Sequence, residues 1–121
     1  MEVVLDSSFI VSCIKHKIDF VSELEGMGFK VLLPKEVFEE IKDLRFNSDD
    51  ATKMAVEVAL EMFTKRKVKS VTLGDVTVDM GLIEFGKRGA YVATLDGVIK
   101  RQVPNKVVIS ESGNKLLVVR S

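Results

Sequence analysis

Four acidic residues occupy positions where a charge has to be explained. Asp6 ends the apolar run Val3–Leu5, and Glu40 sits within "PKEVFEEIKDL". Asp79 shares its helical spacing with Leu82, Ile83 and Gly86, and Asp96 follows the run Tyr91–Thr94 by two residues. Clustered oxygen ligands without histidine or cysteine company suit hard cations, Mg²⁺ or Mn²⁺. A cation so held can orient and deprotonate a water and stabilise charge on a phosphodiester during in-line displacement, which is nuclease chemistry. It would also relieve the repulsion among carboxylates sharing one cleft at neutral pH.

The elements that must position these acids are legible from apolar periodicity. Short β-branched or leucine-rich runs at Val3–Leu5, Val31–Leu33, Val68–Leu73, Tyr91–Thr94, Val107–Ile109 and Leu116–Val119 read as strands. Helical stretches lie between them: Phe9–Leu24, then "PKEVFEEIKDL" with Pro34 in its first turn, and "DDATKMAVEVALEMFTK". In the last of these Met54, Val58 and Met62 stack at i+4 beside Ala55, Ala59 and Phe63 as a core stripe. A further helix runs from about Asp79 to Lys87 and ends near Gly89. Gly26–Gly28, "RFNSDD" and "QVPNK" are loops. The alternation predicts an α/β sandwich with a mostly parallel sheet, one domain across residues 1–121.

In open parallel sheets ligands gather beyond the carboxyl ends of the strands. Parallel strands would therefore bring Asp6 and Asp96 to one edge. On "PKEVFEEIKDL", Val37, Phe38, Ile41 and Leu44 define the apolar face at about 100° per residue. Glu39 points away from that face, whereas Glu40 lies on its flank and can border the sheet. Asp79 falls on the face that packs on the sheet, where an unmatched carboxylate costs several kcal/mol unless a cation or a wet cleft receives it. Each acid has a plainer explanation when taken singly. Asp6 or Asp79 could cap a helix, Glu40 could be a solvated charge, and Asp96-Gly97 is a good turn signal. Four separate explanations would then have to coincide at one edge; a shared site accounts for all of them.

Composition bounds the alternatives. Eighteen basic residues balance eighteen acidic ones, so no global basic footprint marks a nucleic-acid binder and any basic surface must be local. The 46% hydrophobic fraction excludes disorder, and the 30% charged fraction with scarce Asn and Gln suits a heat-tolerant source. The single cysteine, Cys13, permits no intrachain disulfide. Without a signal-like start or a membrane-length apolar run, the expectation is a soluble, cytoplasmic protein.

With these residues in order, the chain resembles a PIN domain, a family of metal-dependent nucleases, over essentially its whole length. "VVLDSSFI" matches the first acid, "LLPKEVFEEIKDL" the glutamate helix, "VTVDMGLIEFGKRGAYVATLD" the third and fourth acids, and "VVISES" the closing strand. It is most similar to compact archaeal stand-alone PIN proteins of the VapC-like type. The resemblance implies a three-layer α/β/α sandwich around a central, mostly parallel twisted sheet. It also implies a Mg²⁺ or Mn²⁺ site at Asp6, Glu40, Asp79 and Asp96, supported by Thr94 and by Ser8, which replaces the usual asparagine. RNA is the implied substrate, and a homodimer the implied assembly. A toxin with an antitoxin partner and an RNA-processing factor are both compatible. Met80 stands where many relatives carry a second aspartate, Leu95 replaces a frequent polar residue, and "GVIKR" departs from the usual charged stretch. Those departures motivate a second reading, a catalytically attenuated PIN-fold module for RNA binding or assembly.

Other features are assigned to structure. His16 reads as an exposed helix histidine and Cys13 as core. "TKRKVK" (64–69) reads as a solvated helix end. Lys87 and Arg88 lie close in sequence to Asp79, and Lys100 and Arg101 to Asp96; these pairs are the candidates for RNA phosphate contacts. The Gly86–Gly89 stretch lacks the Lys-Ser/Thr ending of a phosphate-binding loop. A phosphatase of the aspartyl-phosphate type would want a second Asp where this chain has Ser8.

Overall fold

Val3, Val4 and Leu5 have no exposed surface, although successive side chains on a strand point to opposite faces. Both faces of that strand are therefore covered, as parallel sheets require. The computed structural model describes residues 1–46 and 48–121. Its elements are β1 (Glu2–Leu5), α1 (Ser7–Lys15), α2 (Phe20–Gly26), β2 (Lys30–Pro34), α3 (Lys35–Asp43), α4 (Asp50–Lys65), β3 (Lys69–Val71), α5 (Val78–Lys87), β4 (Tyr91–Ala93), α6 (Gly97–Gln102), β5 (Lys106–Ile109) and β6 (Leu116–Val119).

The strands form one sheet in the order β3-β2-β1-β4-β5-β6, parallel except for the final β5–β6 pair. Val3, Leu5, Val31 and Leu33 pack with Phe9, Phe20, Val37 and Ile41 from α1 to α3, and with Val56 and Ala59 of α4. Val4, Leu32 and Val92 face the other way, against Leu82 and Ile83 of α5 and Ile99 of α6. The result is a three-layer α/β/α sandwich with a mostly parallel sheet. Strand order reverses at the β1–β4 pair, so the crevice beyond its carboxyl ends lies at the switch point of the sheet.

Several expectations need correction. The stretch Phe9–Leu24 is two helices, because α1 ends in a Schellman turn: Ile18 N–H reaches Cys13 O at 2.8 Å and Lys17 N–H reaches Ile14 O at 3.0 Å, with Lys17 at φ +59°. Asp19 then caps α2 through Ser22 N–H. Pro34 closes β2 in an extended conformation and is the N-cap of α3, not part of its first turn. The third strand is shorter than Val68–Leu73 because Leu73 N–H is taken by Glu36. Helix α6 is absent from the sequence reading; its N-terminus is held by the Asp96 side chain, which had suggested only a turn. On α4 the core contact is made by Ala55, Val56 and Ala59, whereas Met54 is 71% exposed and Val58 43% exposed. The "RFNSDD" loop includes Asn47, which lies outside the described residues. No described helix is long and apolar enough to cross a membrane.

Glycine at two positions of α5 allows close approach. A Cβ on Gly81 would stand 2.6 Å from Leu73 Cβ, and one on Gly86 would stand 2.5 Å from Val103 Cγ1. The helix therefore lies tight against its neighbours, with its first turn, and Asp79, at the carboxyl edge of the sheet.

Candidate active site

Asp6 leaves the end of β1 and is 6% exposed, so its charge depends on hydrogen bonds for solvation. Oδ1 accepts from Ser7 N–H at 2.8 Å, and Oδ2 accepts from Thr94 Oγ1 at 2.7 Å and from Ser8 Oγ at 3.3 Å. Thr94 Oγ1 in turn accepts from Asp96 N–H at 3.0 Å, which ties the ends of the two central strands together. Asp96 Oδ1 accepts from Val98 N–H at 2.8 Å and Ile99 N–H at 3.2 Å. The capping explanation for Asp6 is thus correct, Asp96 caps α6 where the sequence predicts a turn, and both carboxylates line the same crevice.

Glu40 comes to that crevice on α3, where Ser7 Oγ donates to its Oε1 at 2.8 Å. Glu39 instead pairs with Lys42 at 2.8 Å on the helix exterior. Asp79 is not the cap of α5, since Thr77 Oγ1 accepts from Met80 N–H at 3.2 Å; it stands exposed in the first helical turn. Asp6, Ser7, Ser8, Glu40, Leu44, Asp79, Leu95 and Asp96 line one cleft of about 430 Å³. The four acids singled out from sequence are therefore brought together.

Burial pushes the Asp6 carboxyl above its ordinary range; the hydrogen bonds from Thr94, Ser7 and Ser8 work against that rise and the charge of Asp79 adds to it. Glu40 is also raised, first by desolvation, opposed by Ser7 and reinforced by the charges of Asp6 and Asp79. Among the described residues the cleft lining includes no lysine, arginine or histidine to balance these carboxylates. An all-oxygen, uncompensated donor set fits a hard divalent cation. As placed, no three of the described His, Cys, Asp or Glu residues stand close enough to hold an ion, so binding one requires the side chains to converge. Asp6, Asp79 and Asp96 are the residues that would hold it, with Glu40 at the rim.

The basic candidates are placed unevenly. Lys87 and Arg88 lie at the far end of α5, about 12 Å of helix rise from Asp79, and Arg88 faces Glu84 at 3.6 Å. Lys100 is half-buried on α6, but the Arg101 guanidinium folds back to within 3.2 Å of where a Gly97 Cβ would be, beside Asp96. Cys13 is buried and its thiol is pushed up to about 12, first by burial, so it is no nucleophile. His16 is exposed, with its ring Nδ1 2.8 Å from Ser12 O.

Sequence reading missed two residues. Ser7 bridges the first acid to the glutamate helix, and a small hydroxyl directly after a strand-ending acid was the available signal. Glu36 was overlooked although it lies one turn before Glu40. Its carboxylate accepts from Leu73 N–H at 3.1 Å (Oε1) and 3.2 Å (Oε2) and from Thr72 Oγ1 at 3.0 Å, anchoring to α3 the loop that leads to Asp79.

A solved structure shares the fold over nearly the whole chain. The PIN domain endonuclease Utp24 superposes with a TM-score of 0.77 at 18% identity, covering 99% of this chain and 92% of that one. The PIN domain of human SMG5 is a weaker likeness, with a TM-score of 0.47 at 13% identity over 79% of this chain and 83% of that one. No curated protein matches the chain. The family profile described as "PIN like domain" matches residues 3–110, and the chain belongs to the PIN-like domain family.

Proposed function

We propose that the protein is a Mg²⁺- or Mn²⁺-dependent endoribonuclease that hydrolyses RNA phosphodiester bonds at the four-carboxylate cleft. The observation that carries this reading is that Asp6, Glu40, Asp79 and Asp96 line one cleft with no basic side chain among its described lining residues. The family membership and the shared fold with the endonuclease Utp24 support it. When bound, the cation would supply Lewis acidity to the phosphodiester and acidify a water. The chain's own part is positional. Thr94, Ser8 and the Ser7 amide fix the Asp6 carboxylate, the α6 amides fix Asp96, and Asp79 faces them across the cleft. Glu40, raised above the ordinary carboxylate range and held among the described residues by the Ser7 hydroxyl, orients the attacking water and takes its proton.

The test is cleavage of purified RNA with Mn²⁺, with and without chelator, by the wild type and by Asp6→Asn. Chelator and substitution should each abolish product while circular dichroism stays native. Undiminished cleavage by Asp6→Asn would sink the assignment. The setting that accompanies this reading is a cytoplasmic homodimer acting in RNA processing or as a toxin. A small DNA-binding antitoxin encoded beside it would decide for the toxin.

A second reading, an attenuated RNA-binding or assembly module, draws on Met80, which is 60% exposed beside Asp79, and on the separation of the acids. Calorimetric titration with Mn²⁺ discriminates: a site present in the wild type and lost in Asp96→Asn counts against it.

A further inference from the structure

We propose that a single strand of RNA leaving the carboxylate cleft lies in the groove between α1 and α4, its phosphates on Lys15 and Lys17 and its bases across Met54 and Val58. This rests on the nuclease reading above and extends it to the path of the substrate.

The cleft does not end at the acids. It shares Ser7, Ser8 and Leu44 with a second hollow that reaches Ser12 and Lys15 along α1. That hollow shares Lys15 with a third, floored by Met54 and Val58 of α4 and bounded by Lys17. Three adjoining hollows thus follow α1 from Asp6 as a trough, the first acidic, the second hydroxyl-lined and the third apolar with Lys15 and Lys17 on its border.

Charge selects the occupant. Neither lysine forms an ion pair among the described residues. Lys15 Nζ is pointed across the trough by a 2.8 Å hydrogen bond to Thr52 Oγ1. Asp19 is paired with Arg66 at 2.6 Å, while Asp49, which caps α4 through Thr52 N–H at 2.8 Å, keeps its charge and is held below its ordinary range first by Thr52 and in part by Lys15. A polyanion whose scissile phosphate sits among carboxylates needs cationic contacts beyond them, and Lys15 and Lys17 supply two along this trough. The apolar floor, with Met54 71% exposed, offers bases a surface to lie on without reading sequence.

Lys17 adds a local sign. Helices α1, α2 and α5 all end in the same Schellman turn, and the left-handed position is Gly28 (φ +93°) after α2 and Gly89 (φ +105°) after α5. After α1 it is Lys17, at φ +59°. Glycine is the favoured residue there, and this chain carries a lysine side chain in its place.

The test uses the full chain carrying Asp96→Asn, so that RNA is bound without being cut. Anisotropy of a short fluorescein-labelled single-stranded RNA is followed across salt concentrations in the presence of Mg²⁺. Adding Lys15→Gln with Lys17→Gln should weaken binding about tenfold and flatten the log–log salt slope by about 1.4, the value for two lost phosphate contacts. Lys17→Gly alone should weaken binding while melting no lower than its parent, a combination that a purely structural lysine would not give. In the Asp96→Asn protein with both lysines intact, RNA should shift the methyl resonance of Met54 and leave that of Met27 in place. Affinity and slope unchanged in the double variant would overturn the proposal. So would a Met54 shift that follows protein concentration and ignores RNA, which would give the groove to a second copy of the chain. Absence of cleavage by the wild type, with groove-dependent binding intact, would fall on the nuclease reading alone.

Discussion

The four carboxylates of the cleft arrive in two different ways. Asp6 and Asp96 leave the adjacent central strands and are clamped by backbone amides and by the Thr94 hydroxyl that joins them. Glu40 and Asp79 ride on helices, are exposed, and make lighter contacts; among the described residues the Ser7 hydroxyl holds Glu40. The strand-end pair is preorganised by the same bonds that finish the sheet, whereas the helix pair is free to adjust. Convergence on a cation is therefore expected to come mainly from movement of the helix pair.

The largest effect that tests this division is loss of a clamped acid. Asp6→Asn or Asp96→Asn should lower cleavage by at least about 100-fold, because a charge meant for the cation disappears. Asn keeps an Oδ1 to accept the capping amides, so folding should survive. Single-turnover assays on all four Asn or Gln variants check the ranking. A greater loss from Asp79→Asn than from either strand-end substitution would break the comparison.

Thr94→Val strikes the clamp itself while keeping the shape of the side chain. It removes a buried hydrogen bond to a charged group, so urea denaturation should show a loss of about 1.5–3 kcal/mol. The Thr94 hydroxyl holds the Asp6 carboxyl down against burial. Without it Asp6 rises further, and the acidic limb of the cleavage profile should move to higher pH.

A smaller change is expected on α3, whose three glutamates provide their own control. Glu36→Gln weakens the anchor on Leu73 and Thr72, loosening the approach to Asp79, and should lower kcat by up to about tenfold with little change in KM. Glu39→Gln, which loses only the exterior pair with Lys42, should leave kcat unchanged. Equal effects from the two would remove the case for Glu36 as a positioning residue.

The sheet and the four acids were legible because strands announce themselves by β-branched runs and because the acids interrupt apolar patterns. The angular separation of Glu40 from Glu39 followed from helix geometry alone, and Glu39 does turn out to face Lys42 on the exterior. Less was legible where one residue serves two purposes. Asp96 looked like a turn because six residues of helix start on it, and α6 is too short to show periodicity. Lys17 hid a helix end because the chain uses lysine where glycine is the usual marker. Met54 and Val58 fit a core stripe by spacing, yet alanines make the tight contact of α4 with α1 and leave the larger side chains outside. Periodicity gives an apolar face but not which part of a broad face is covered.

On stability, Glu40→Gln gives the smallest effect and the most specific sign. Burial, with the charges of Asp6 and Asp79 adding to it, holds the Glu40 carboxyl above its ordinary value, so its ionised form destabilises the cation-free protein. A raised folded-state value means that the native state binds the proton more readily than the unfolded chain. Stability from this group is therefore lost as pH rises through the folded value, and regained as pH falls toward the ordinary carboxylate range. In chelator at neutral pH, Glu40→Gln should melt slightly above the wild type, by a fraction of a kcal/mol because solvent screens an exposed carboxylate. The gap should close as pH is lowered through the raised value, where wild-type Glu40 becomes neutral too. Saturating Mn²⁺ should reverse the order, since only the wild type offers it the fourth carboxylate. Melting curves of the two proteins at several pH values, with chelator and with Mn²⁺, read all three signs; a variant less stable than the wild type in chelator would show that Glu40 is held for the fold and not for the cation.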